Sequence, residues 1–487
     1  MRRTSLVRGL FLSLLAALLV PSAALAAGPS VTSVATDLNT TWVIVTGVLV
    51  MFMQAGFLFL ELGFTRGKNV GTMVAKIIVN FSVSSIVWWM CGFALAFGGA
   101  AKFLGDSGFF LGMGDNISGG LIPGPLTGNG AAFFFFQFVF CAVSLAIVWG
   151  STLERIKFIA YPIYAVIFSA IIYPLIAHWI FGGGLLASVG NGVQDFAGST
   201  VVHLTGATGA LAAVLLLGPR RGKYDADGKP RAIPGHSMPL FALGVFILWL
   251  GWFGFNPGST LSAVNGRFAE VVVVTNLAAA AGVIGAASTV WFKSKTLDVG
   301  MCGNGAIAAL VAITAPSGYV EFWAAPIIGL VAGIIVVFGV LAIDKVIDDP
   351  VGALSAHGLA GIWGTLACGI FSSPRLTALN GVGDPGLVYN GSLTQLGVQA
   401  VGVLAAFATV FTLSFATFFA IKKTVGLRVS AEDEDAGLDI SEHGMYGYPE
   451  QFIPEAELIG ASPSAVMAAA NQDPNAVKVG RAQEMGA

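Results

Sequence analysis

Charge is scarce in this sequence. Only 10% of its 487 residues are Asp, Glu, Lys or Arg, against about 25% in an ordinary soluble domain. Hydrophobic residues make up 56%. No water-soluble core could hide that much apolar surface, which excludes a soluble globular enzyme. Basic and acidic residues number 24 and 26, for a formal net charge of -2. Without a basic field, a nucleic-acid binder is excluded too. The four cysteines, Cys91, Cys141, Cys302 and Cys368, sit in apolar runs and form no C-x-x-C pair. Neither a disulfide framework nor a thiolate metal knuckle is expected, and the four read as small buried hydrophobes. The 64 glycines follow no three-residue period, so a collagen-like or low-complexity chain is excluded. A cofactor loop, a nucleophile elbow and a metal cluster are missing as well. Neither an enzymatic activity nor a cofactor is expected. What remains is a polytopic membrane protein.

The N-terminus reads as a cleavable signal peptide over residues 1–27. Arg2, Arg3 and Arg8 form its basic region, Gly9 to Val20 its apolar stretch, and Ala24-Leu25-Ala26 the small-residue cleavage pattern. Cleavage would leave the mature N-terminus outside a bacterial cell. Eleven apolar runs of about spanning length follow, at about 42–64, 70–99, 132–151, 158–181, 196–217, 238–257, 270–292, 299–316, 321–343, 351–372 and 396–420. Period-2 alternation is absent, which argues against a β-barrel. The expected fold is an all-α membrane protein with a transmembrane region over 28–420 and a hydrophilic cytoplasmic tail over 421–487.

The basic residues test this list. With the N-terminus outside, the inner segments carry Arg66 and Lys68; Arg155 and Lys157; Arg220, Arg221, Lys223, Lys229 and Arg231; Lys293 and Lys295; Lys345; and Lys422, Lys423 and Arg428. The outer loops hold only Lys102, Arg267 and Arg375. Fifteen against three is the asymmetry that the positive-inside rule demands, and an error of one span would scramble it.

One pattern occurs twice. Asp195, Gly198 and His203 read D-x-x-G-x-x-x-x-H, and Asp349, Gly352 and His357 repeat it. The copies open spans five and ten. An odd number of spans separates equivalent points, so the second copy enters the bilayer from the opposite face. That marks an inverted repeat, whose site lies near the midplane where the halves meet. Eight residues at 1.5 Å rise is about 12 Å, which brings each imidazole close to the centre of the slab if each Asp sits at its boundary. A charged imidazolium in hydrocarbon is unfavourable, so the two rings should be neutral and hydrogen-bonded to each other.

Few other ionisable groups reach membrane depth. Glu61 lies near the inner end of span one, and Lys76 near the inner end of span two, where it can snorkel to the interface. There is neither a TVGYG-type filter nor an arginine ladder. A mostly apolar lumen with two imidazoles suits a small, polar, nearly neutral solute. Trp252 to Ser259 (W-F-G-F-N-P-G-S) closes span six on the outer side, where ring faces beside a hydroxyl could receive a cation; alone it reads as an interfacial aromatic belt. Phe133 to Phe136 with Phe138 and Phe140, in the outer half of span three, reads as lipid-facing bulk. Asp195 reads as an N-cap on span five.

From about residue 40 to 448 the chain resembles the ammonium transporter (Amt/Mep/Rh) family. The resemblance is carried by Gly63 to Asn69, Leu153 to Phe158, Asp195 to His203, Gly251 to Ser259, Asp348-Asp349-Pro350, His357-Gly358, Gly426 to Val429, Gly437 to Asp439 and His443-Gly444. It implies two inverted five-helix halves plus a C-terminal helix, in a homotrimer with one pore per subunit. It implies that His203 and His357 are the pore pair, that Phe140 and Phe255 are stacked rings closing the outer end, that Ser259 is the vestibule hydroxyl, and that Asp195 shapes the recruitment site. Phe181, before Gly182-Gly183-Gly184, stands where the family commonly has Trp; it keeps a ring face and loses the indole donor. Gly352 stands where many members have a second acidic residue. The implied substrate is ammonium or ammonia. The implied partner on the cytoplasmic face is a PII signalling protein, meeting the loop at 218–236 and Gly437 to His443. A rival expectation is an ammonium sensor that signals through its tail.

Overall fold

The computed structural model describes residues 30–99, 101–112 and 129–452; the expected signal peptide, part of the Gly-rich outer loop and the end of the tail fall outside these. The regular structure of the described residues is helical, apart from two isolated β-bridges. Among the described residues, ten helices are long and apolar enough to cross a membrane, and Val299–Thr314 is a shorter apolar one. They match the eleven runs of the sequence in order. In chain order they are α1 (Val31–Phe64), α2 (Gly67–Phe97), α3 (Gly130–Gly150), α4 (Ala160–Ser188), α5 (Ser199–Leu217), α6 (Met238–Gly258), α7 (Arg267–Ser294), α8 (Val299–Thr314), α9 (Ala324–Ile343), α10 (Leu354–Phe371) and α11 (Thr394–Thr424). The chain is a multi-pass membrane protein.

The starts of these helices follow ordinary capping chemistry. Ser30, Ser237 and Asp298 accept the backbone N–H three residues on, at the heads of α1, α6 and α8. Pro239 sits in the first turn of α6, where its missing N–H leaves nothing unpaired.

The packing repeats itself between the halves. In the first half α3 lies between α1 and α5, and α2 packs on α4; in the second, α8 lies between α6 and α10, and α7 packs on α9. The halves join where α1 runs antiparallel to α6. A Cβ on Gly63 would meet Phe241, whereas one on Gly254 would meet Thr46. At Gly244 a Cβ would come within 2.3 Å of the Leu60 backbone nitrogen, so a small residue is needed for two backbones this close. In the middle, α3, α5 and α8 are buried along most of their length. Helix α11 straps α5 to α10: Gln399 Nε2 donates to the carbonyls of Gln194 and Thr365, and Gln399 Oε1 accepts from Gln194 N.

Three basic side chains, Arg66, Arg155 and Arg220, share one largely buried network. Arg220 donates to both oxygens of Asp348, Arg66 binds Glu154, and Arg155 donates to the Gly218 and Asp348 carbonyls. The tail is latched onto the bundle. Asp439 Oδ1 accepts the Thr72 N–H at the head of α2, Glu442 accepts the Phe158 N–H, and Glu434 pairs with Arg428. Elsewhere, Arg375 pairs with Glu270 and Glu321, and Arg267 donates to the Gly318 carbonyl.

Candidate functional site

The two copies of the repeated pattern fold alike. The Asp195 carboxylate accepts four backbone N–H groups, from Gly198, Ser199, Thr200 and Val201, at 2.8–3.0 Å. Asp349 accepts the Leu354 N–H at 2.8 Å and the Ser151 hydroxyl at 2.9 Å. Gly198 has φ 119° and Gly352 φ 74°, a region that favours glycine, so the G of each D-x-x-G is required by the backbone. After each glycine the chain winds into a π-helical turn, Ser199–Leu204 and Leu354–Leu359, and these turns carry His203 and His357. Such turns recur at functional sites because they re-aim side chains inside a helix.

The two imidazoles meet. His357 Nδ1 lies 3.3 Å from His203 Nδ1, and the rings are 5.3 Å apart at 21°. Both side chains are buried. Two protonated Nδ1 atoms would repel at this distance, so at least one ring accepts through Nδ1 and is neutral, carrying its proton on Nε2. His203 Nε2 has no hydrogen-bond partner in the protein. A buried ring nitrogen without a partner can bond a passing solute.

An aromatic column stands on this pair. Phe140 and Phe255 stack at 4.0 Å and 17°. Below them, Phe255 and Trp252 contact the His203 ring at 5.5 and 5.4 Å. Trp252 is fixed by its N–H on Thr314 Oγ1 at 3.0 Å. Phe57 continues the column at 6.1 Å from the His357 ring. Beyond His357 lies a cavity of about 20 Å³, bounded by Phe57, Glu61, Gly150, Asn304, Val351 and His357, enough for a single water molecule.

Two expected site residues, Ser259 and Phe181, remain. Ser259 caps α6 and donates to the Phe255 carbonyl at 2.9 Å, which leaves its oxygen free to accept. Phe181 is the half-buried residue at the end of the α4 turn after Ile180, packed against the core; it makes none of the ring contacts of the column.

Two expectations need correction. Phe133, Phe136, Phe138 and Phe140 are buried rather than lipid-facing, and Phe134 and Phe135 are half-buried, because α3 is packed between α1 and α5. Lys76 does not snorkel. It is fully buried and ion-paired with Glu61, because α2 turns that face towards α1 and α4 instead of the interface. Sequence reasoning also missed Trp252 and Phe57 as walls of the column, since a Trp or Phe at helical spacing carries no mark of which way it faces. Among the described residues no three His, Cys, Asp or Glu side chains converge as a metal site would require.

Residues 41–448 match the model of the Ammonium Transporter Family. The chain is 46% identical over 429 residues to ammonium transporter Amt2 of Archaeoglobus fulgidus, covering 86% of this chain and 89% of that protein. A solved Sensor Amt Protein superposes with a TM-score of 0.77 at 37% identity, covering 84% of this chain and 99% of its own. Mep2 of Candida albicans superposes with a TM-score of 0.74 at 29% identity, covering 82% and 87%. The chain belongs to the Ammonium Transporter Family.

Proposed function

We propose that this protein moves ammonium inward across the plasma membrane, the inner membrane of a bacterium. The observation that carries the reading is the pair of buried imidazoles, in contact through Nδ1, beneath stacked Phe140 and Phe255. NH4+ is recruited at the outer mouth among Phe140, Phe181 and Ser259, whose ring faces and hydroxyl lone pairs suit a small cation. Asp195 shapes that mouth through the backbone it gathers. The cation gives up its proton there, and the proton is relayed separately to the His203–His357 pair. NH3 slips past Phe140 and Phe255 and is guided by His203 and His357, bonding to ring nitrogens in an otherwise apolar passage. K+ and Na+ cannot shed charge, so each meets the full penalty of a bare ion in hydrocarbon. Purified protein in liposomes should give an ammonium-driven internal pH change that His203→Ala sharply reduces; no ammonium response from folded wild-type protein would reject the reading.

The chain's relatives are named as transporters, and transport without a chemical step on the solute other than proton exchange is the natural reading here. The assembly is a homotrimer with a pore in each subunit, its C-terminus in the cytoplasm, where the fifteen basic residues point. A PII-type signalling protein docks on the loop at 218–236 and Gly437 to His443; pull-downs with and without ATP or 2-oxoglutarate test this. One observation favours a second reading, a sensor: the tail is bonded to the heads of α2 and α4, so a change at the helix ends would reach it. Transport by wild type, together with a phenotype on tail deletion, separates the two.

A further inference from the structure

The Glu61–Lys76 pair is absent from the mechanism above. Both side chains are fully buried, they are ion-paired, and neither has another hydrogen-bond partner. An ion pair without further hydrogen bonds is a poor stabiliser of a membrane interior, where its desolvation is barely repaid. Its position is informative. Glu61 lies one turn beyond Phe57 on α1, and both line the small cavity whose other wall is His357. A Cβ placed on Gly150 would sit 3.7 Å from Glu61 Oε1, so the carboxylate edge faces this space. The cavity is large enough for one water between an imidazole that ends the conduction pair and a carboxylate one turn from the inner end of α1.

We infer that Glu61 is the inner proton-exchange group of the pathway, with Lys76 as the residue that positions it. The inference rests on the proposed conduction of ammonia. A proton on the His203–His357 pair passes through the cavity water to the Glu61 carboxylate, leaving the imidazole neutral and the carboxyl protonated. Ammonia arriving in the cavity takes that proton, giving NH4+ and regenerating the carboxylate. Lys76 keeps its proton throughout and re-forms the ion pair. The titratable groups facing Glu61 are Lys76 from α2, His357 from α10 and Tyr161 from α4, whose ring centroid is 6.0 Å from Lys76 Nζ.

The experiment measures current and ammonium uptake together in vesicles containing the full-length protein. Three forms are compared: Glu61→Gln, the neutral pair Glu61→Gln with Lys76→Gln, and the charge-reversed pair Glu61→Lys with Lys76→Glu. The two double variants avoid leaving a single buried charge. Wild type should carry one charge per ammonium. Every folded variant should lose roughly tenfold or more of its current per ammonium taken up, with a shifted pH profile. The reversed pair restores the ion pair without restoring the carboxylate to the cavity, so it should rescue folding but not current. Full recovery of current in either double variant would overturn the assignment, since it would make the pair structural only. Electroneutral uptake by wild type would overturn it too, while leaving ammonium conduction standing. Failure of wild type to take up ammonium at all would instead fall on the proposed function.

Discussion

His203 and His357, 154 residues apart in sequence, face each other through Nδ1 at 3.3 Å. Only one proton fits between those nitrogens, so each ring sets the tautomer of the other. Replacing either with Ala should therefore disturb both. His203→Ala and His357→Ala are each expected to lower ammonium flux by roughly a hundredfold or more, the lower end of the range for a lost positioned proton partner, and the double variant should lose little more. Stopped-flow pH changes in vesicles check this; single losses that multiply in the double variant would mean that the rings act independently.

Asp195 should be worth more to the fold than an ordinary surface cap. Its carboxylate accepts four N–H groups in a buried turn. Asp195→Ala leaves all four without that partner and is expected to lower stability by about 2–4 kcal/mol, beyond the usual ~1 kcal/mol of a helix cap. Asp195→Asn, which keeps one acceptor oxygen, should fall between. Thermal unfolding in detergent gives the ranking, and an Ala variant as stable as wild type would contradict it.

The basic network should respond to acid. Burial alone would raise the Asp348 carboxyl, but the Arg220 hydrogen bonds and the Arg155 and Arg220 charges outweigh it and hold it at about 2. An unfolded Asp titrates near 3.9. A folded value below the unfolded one adds stability that is complete above pH ~4 and is lost as pH falls through the folded value. The melting midpoint should drop between pH ~4 and ~2. In Asp348→Asn it should start lower and fall less over that window, as measured by melts from pH 7 to pH 2; parallel curves would show that Asp348 contributes nothing to the acid response.

Asp439 ties the tail to α2 through the Thr72 N–H, and its other oxygen holds the Gly447 N–H. Asp439→Ala should release residues 437–447 with a loss of about 1 kcal/mol, as for a helix cap. Limited proteolysis should then cut that segment faster than in wild type. An unchanged cleavage rate would mean that the Glu442 and Glu434 bonds hold the tail without it.

Much of this molecule can be read from its sequence. Spans are set by apolar length and by the partition of Arg and Lys, and those two signals act over many residues. The repeat placed His203 opposite His357 because the D-x-x-G-x-x-x-x-H spacing survives in both halves. What could not be read depends on direction. Lys76 and Phe140 have nothing in their neighbourhood to say that α2 and α3 turn those faces inward, and a lysine near a helix end snorkels by default. The π-helical turns that carry the histidines depend on where the backbone bends round Gly198 and Gly352, which no residue count reveals. Phe57 and Trp252 are placed in the column by contacts between α1, α6 and α8, elements far apart in the chain.

The most direct trial of this account is the relative current of NH4+ and K+ across vesicles holding the purified protein, at equal concentration and with no other permeant cation. A passage that conducts only after its solute has given up a proton predicts an ammonium response with no K+ current above that of empty vesicles. A K+ current comparable to the ammonium one would mean that bare ions traverse the pair of imidazoles, and would contradict it.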